Sequence, residues 1–197
     1  MTTRTAHPKV HQVFVDRWSP RAFDESAIPD EDLEAIFGAA GLAPSAFNYQ
    51  PWKFLYARRG DANWDRFLSL LIPFNQSWAK DAGALVFIVS DTKHRKDANA
   101  SGDDHADFYS HSFDAGAAWA QMALQASLLG YHAHGMTGLE FDKARAELGL
   151  PDDIRLEAAV AIGRRDAPER LPEGLRGGEV PSPRKPVAEI ALAGNYR

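Results

Sequence analysis

Residues 43–54 read APSAFNYQPWKF, and they join an apolar helical pattern on one side to a strand pattern on the other. A connection of this kind is usually short and built from Gly, Asp or Ser. Here Pro44 and Pro51 each fix a backbone φ, and between them stand the side-chain amides of Asn48 and Gln50. An amide donates and accepts together, which suits the edge of a heterocycle carrying both C=O and N–H groups. Phe47, Tyr49 and Trp52 supply flat apolar surface to wall off such a ring. The plainer alternative is a proline-rich turn whose amides tie up the loop's own backbone.

Outward from this segment the elements alternate. DEDLEAIFGAAG (residues 30–41) carries Leu33, Ile36 and Phe37 at helical spacing, with an acidic first turn that suits the positive end of a helix. WKFLYA (52–57) reads as a strand, and a helix is expected over 64–72. ALVFIVS (84–90) is a continuous apolar run, the pattern of a strand covered on both faces. Residues 93–107 are polar and read as a surface excursion. SFDAGAAWAQMALQASLLG (112–130) is the longest helical pattern, apolar nearly all round, which fits a central helix or half of an interface. A short helix over 141–148 and a strand over 156–163 follow. The Pro-, Arg- and Gly-rich tail beyond them has no periodicity and must drape over something. The expectation is a single α+β domain spanning 1–197.

Composition narrows the function classes. The chain has 197 residues, 45% of them hydrophobic, and a net charge of −5. That balance argues against a general nucleic-acid or anionic-membrane binder. The absence of cysteine excludes disulfides, thiolate nucleophiles and Cys-ligated metal centres. No apolar run reaches bilayer-spanning length and the N-terminus is polar, so the expected location is cytoplasmic. No G-x-G-x-x-G follows a strand, which disfavours a Rossmann dehydrogenase. His105 with Asp103, Asp104 and Asp107, or His132 with His134, lacks the spacing of a catalytic zinc site, and no metal is expected.

Three further motifs carry chemistry. RWSPRAF places Arg17, Ser19 and Arg21 at alternate positions, so an extended backbone points all three one way. Two guanidiniums flanking a hydroxyl form an anion clamp, although a solvated basic patch is the plainer reading of this motif alone. HGMTGLEFD (134–142) has two glycines that let backbone approach a ligand. SPRKP (182–186) holds Arg184 and Lys185 between prolines.

In this order and spacing, RWSPRAF, APSAFNYQPWKF, the Ala-rich helix, GMTGLEFDKARAELGLP, AIGRR and SPRKPVAEI resemble the FMN-dependent nitroreductase family, in an R-x-S-P-R form, over nearly the whole chain. The resemblance implies a small, mostly antiparallel sheet surrounded by helices, and a homodimer with FMN at the subunit interface and the C-terminal tail reaching onto the partner. It implies NADH or NADPH as electron donor and a small-molecule acceptor such as a nitroaromatic or quinone. By the same resemblance, Arg17 and Ser19 belong to the phosphate and ribityl contacts and Arg21 to the flavin N1/O2 edge, with Trp18, which stands where the family often has Arg or Ser, counted among the cofactor-binding residues. Pro44, Ser45, Asn48 and Gln50 line the flavin, partly from the other subunit. Asn75 faces the pyrimidine edge, Met136, Thr137 and Gly138 pack on the ring, and Arg184 with Lys185 holds the phosphate. The scheme requires no catalytic acid or base. Trp78 stands near where some members carry Lys, and Ala46 where a second Ser is common. Gly102–His111 falls where a substrate lid would lie. Enone reduction, dehalogenation or flavin destruction on the same fold, or FMN storage without turnover, remain open.

Overall fold

The computed structural model describes residues 4–95 and 105–196. In chain order the elements are α1 (Gln12–Asp16), α2 (Asp30–Gly41), β1 (Trp52–Arg58), α3 (Trp64–Leu68), α4 (Pro73–Ala79), β2 (Ala84–Asp91), β3 (Lys93–Arg95), β4 (His105–Asp107), α5 (His111–Leu128), β5 (His132–Met136), α6 (Phe141–Glu147), β6 (Ile154–Gly163), α7 (Glu173–Arg176) and α8 (Val187–Ile190). A four-stranded sheet runs in the order β1-β2-β6-β5, and each of its pairings is antiparallel.

The apolar run of β2 is buried from Ala84 to Ser90 because helices cover both faces of the sheet. Strand alternation divides it: Val86 and Ile88 join α2 and α5 in one core, while Leu85, Phe87 and Val89 join α3, α4 and α6 in the other. β6 follows the same rule, with Val160 and Ile162 on the α5 side and Ala159 and Ala161 opposite. The small residues of α5, Ala115, Ala118, Ala123 and Ala126, let it lie close to α2 and the sheet.

Three local expectations differ from the structure. The helix expected over 64–72 stops at Leu68, because Leu71 leaves to form a bridge with Leu139 and Pro73 then opens α4. Residues 132–136, which the sequence reading assigned to no element, form the edge strand β5 against β6. The surface excursion contains a short antiparallel ribbon, β3 with β4. The part of the expected lid over 102–104, with Asp103 and Asp104, lies outside the described residues.

The tail packs first and then leaves. Leu171 and Glu179 are buried against the body, whereas Val187, Ile190 and Tyr196 are exposed. Phe87, fully buried where β2 meets α3 and packed edge-on to Phe67 at 5.4 Å, anchors the lower core. Phe87→Ala is expected to cost about 3–5 kcal/mol through lost burial and the remaining cavity, measured as a lower urea midpoint with an unchanged m value.

Candidate functional site

The residues of RWSPRAF run extended along the molecule between α1 and the isolated bridge that Phe23 makes with Arg165. This course is fixed by burial of every second residue, Trp18, Pro20 and Ala22, and then of Phe23. It is fixed also by Glu179, whose Oε1 accepts hydrogen bonds from the backbone N–H groups of Arg21 (2.7 Å) and Ala22 (2.9 Å). Arg17 and Ser19 then stand on one side, with Arg17 Nη1 donating to Ser19 Oγ at 3.4 Å.

Two cavities meet at Ser19. The larger, about 650 Å³, is lined by Arg17, Ser19, Met136 and Thr137, with Trp119 and Ala120 of α5 and Phe14 of α1 among its apolar walls. Glu157 and Ser112 form a polar end, Ser112 Oγ donating to Glu157 Oε1 at 2.7 Å. The β2–β6 register shifts between Ile88 and Val89, opposite Glu157. The smaller cavity, about 220 Å³, is lined by Arg4, Trp18, Ser19, Arg21, His134 and Arg184, among others.

The cations around the second cavity sense one another. Burial lowers the pKa of Arg17, and the charges of Arg4 and Arg184 lower it further. Arg4 is lowered in the same way, by burial and then by Arg184. Converging guanidiniums of this kind favour an anion. Arg21 lies over Trp78 at 6.0 Å, and its Nε is buried with no hydrogen-bond partner among the described residues. Trp78 Nε1 is in the same condition.

His134 stacks against Trp78 at 4.6 Å, and its Nδ1 lies 2.8 Å from the Pro20 carbonyl, the geometry of a donating N–H. Burial lowers the pKa of His134, with Arg21 reinforcing the effect and the Pro20 carbonyl opposing it. The ring is therefore held neutral, as a wall.

The turn after β5 is built for close packing. A Cβ on Gly138 would lie 2.5 Å from Asn75 Nδ2 and 2.8 Å from Ile72 Cδ1, so only glycine lets Asn75 donate to the Gly138 carbonyl at 3.0 Å. A Cβ on Gly135 would lie 3.0 Å from Trp119. Both glycines thus have close protein neighbours of their own, Trp119 at Gly135 and Asn75 with Ile72 at Gly138.

The structure brings Arg17, Trp18, Ser19, Arg21, Met136, Thr137 and Arg184 to these two cavities. Asn75 is buried beside them and bonded to Gly138. Lys185 is exposed in the tail. Pro44, Ser45, Asn48 and Gln50 line neither cavity. In that loop Phe47, Asn48 and Gln50 all have positive φ, and Phe47 is 90% exposed. Gln50 Nε2 donates to the Asn48 carbonyl (3.2 Å) and the Gln50 N–H to Ser45 Oγ (2.9 Å), so within this chain Gln50 serves the loop itself. Arg4, Glu179 and Trp119 were not singled out from sequence, and His134 was weighed there only as half of a metal pair with His132. The first two act across the length of the chain, and only the alternating HAHGM pattern offered a local signal for His134.

The sequence profile of the nitroreductase family matches residues 15–72 and 71–164. The chain belongs to the nitroreductase family. An Archaeoglobus fulgidus protein named as an NADH dehydrogenase/NAD(P)H nitroreductase is 32% identical over 154 residues, covering 75% of this chain and 80% of that protein. The CLA biosynthesis enone reductase of Lactiplantibacillus plantarum is 28% identical over 182 residues, covering 77% of this chain and 83% of that protein. A crystal structure described as an oxidoreductase containing FMN superposes with a TM-score of 0.94 at 44% identity, covering 100% of this chain and 98% of that one. No helix among the described residues is long and apolar enough to cross a membrane.

His132 connects this region to stability. Burial, then Arg165 and Arg17, lower its pKa from 6.5 to about 4. The unfolded chain therefore binds a proton that the folded chain refuses, and folding is penalised progressively as pH falls from 6.5 toward about 4. The His132→Gln variant is expected to lose less stability than wild type over that interval, checked by urea unfolding at a series of pH values.

Proposed function

We propose that the chain is an FMN-dependent NAD(P)H oxidoreductase that reduces small electron acceptors such as nitroaromatics or quinones. The observation that carries the reading is the arginine group of Arg17, Arg21 and Arg184, gathered with Ser19 where a large, mainly apolar cavity adjoins a small polar one. Family membership, the relative named for NAD(P)H and the FMN-containing structural neighbour support it.

The residues fit this cofactor. Arg17, Arg184 and Lys185 supply positive charge for a phosphate, with Ser19 as a hydroxyl partner and Trp18 as a buried neighbour. Arg21 offers an unpaired buried Nε donor, a group that costs free energy unless an acceptor meets it. Met136, Thr137 and Gly138 present a turn held rigid by Asn75, suited to pack against a planar ring. When bound, FMN supplies two-electron chemistry, taking hydride from NADH or NADPH and delivering it to the acceptor in separate half-reactions. The chain's own share is orientation, a cation near the reducible ring and exclusion of water. No acid or base is assigned.

The working unit in this reading is a cytoplasmic homodimer. Its support is the exposure of Phe47, Asn48 and Gln50 and of the apolar tail residues Val187, Ile190 and Tyr196. A second copy would cover these groups and bring Pro44, Ser45, Asn48 and Gln50 to the partner's flavin. Reduction of an enone is the second reading, supported by the L. plantarum relative.

The test joins binding to kinetics. Wild-type protein is expected to bind FMN and to give parallel double-reciprocal lines when NADPH or NADH is varied against a quinone. Arg17→Ala is expected to weaken FMN about ten- to a hundredfold, the loss of one charge-assisted contact. An Arg17→Ala variant with wild-type affinity for FMN contradicts this assignment of the arginine group.

A further inference from the structure

We infer that Arg4, near the N-terminus and outside every motif described above, is a member of the anion-binding set and reads the phosphate of the cofactor. The inference rests on the FMN reading of the site.

The geometry is that of a clip. Arg4 Nε donates to the Ser182 carbonyl at 2.9 Å, and its Nη1 donates to the carbonyls of Val15 (3.3 Å) and Arg17. One guanidinium therefore joins the extended segment that carries Arg17 to the tail segment that carries Arg184, across 178 residues of sequence. Arg4 also lines the small cavity together with Ser19, Arg21 and Arg184. Arg184 spends its own Nη1 on the nearby carbonyls of Ser182 (3.2 Å) and Pro183 (3.0 Å), so the Ser182 carbonyl accepts from both Arg4 and Arg184.

Charge makes the same point. Arg4 and Arg184 each lower the pKa of Arg17, and Arg184 lowers that of Arg4. Packing three guanidiniums this closely opposes folding of the empty site, and a bound dianion removes that opposition. A phosphate monoester is the ligand chemistry that fits. Riboflavin has the same ring and ribityl chain without the phosphate, so it separates an anion contact from a merely structural clip.

The experiment titrates flavin-free full-length protein with FMN and with riboflavin, for wild type, Arg4→Gln and Arg4→Lys. Arg4→Gln is expected to weaken FMN about tenfold, as for one charge-assisted contact, while riboflavin changes less than about twofold. Arg4→Lys, which keeps the charge, is expected to recover part of the FMN affinity. Unchanged FMN affinity in Arg4→Gln overturns the inference, and so does an equal loss of FMN and riboflavin. If wild-type protein binds neither flavin, the cofactor reading fails with it. That outcome is seen in the wild type, whereas failure of the Arg4 assignment alone is seen only in the variants.

Discussion

A single buried carboxylate holds the two ends of this site together. Glu179 is 6% exposed, and its Oε1 accepts from two consecutive backbone N–H groups, those of Arg21 and Ala22. Each is a charge-assisted bond in a low-dielectric setting, stronger than a neutral pair and costly to break. The carboxylate pins the tail to the extended segment that carries the arginines, 158 residues away. Because Glu179 is fixed, Ser182 and Arg184 emerge next to Arg4 and Arg17.

The sheet sets the other wall. β6 lies beside β5, and β5 ends at Met136, directly before the turn that carries Thr137 and Gly138. That turn is stitched to the α3–α4 connection by the Ile72 N–H donating to the Gly138 carbonyl (3.1 Å) and the Glu140 N–H donating to the Leu70 carbonyl (2.9 Å). Asn75 adds a third tie. The site is thus mounted on buried, hydrogen-bonded backbone, the support that keeps a binding geometry fixed. The loop at 43–50 is the contrast, with left-handed residues and exposed aromatics. Strain of that kind persists where surroundings hold it, and a second subunit over this loop would do so.

How much of this the sequence disclosed follows from the range of the forces involved. β2 was legible because its unbroken apolar run could mean little else, and α2 because its acidic start and 3.6-residue period agree. β5 was missed because His, Gly and Met conceal a half-buried edge strand, although Ala133 and Met136 do turn inward. The break between α3 and α4 was missed because the apolar spacing runs straight through Leu71, whose bridge to Leu139 is a tertiary contact. The alternation of the arginine motif suggests an anion clamp, but taken alone it reads more plainly as a solvated basic patch; only the ordered series of motifs lifts it above that. Arg4 and Glu179 left no local trace, since each acts on backbone more than a hundred residues away. Gly135 of β5 and Gly138 of the turn after it were noticed for a sound reason, close approach, and a side chain of the same protein lies close to each.

The central claim is that the arginine-lined site holds a flavin that a nicotinamide reduces. The most direct measurement is the visible absorption of the FMN-loaded protein under anaerobic conditions, before and after one equivalent of NADPH and, separately, NADH. Rapid bleaching by at least one donor, followed by return of colour when a quinone is added, is the result this account predicts. Colour that persists with both donors would contradict it and leave a flavin-binding protein without reductase activity.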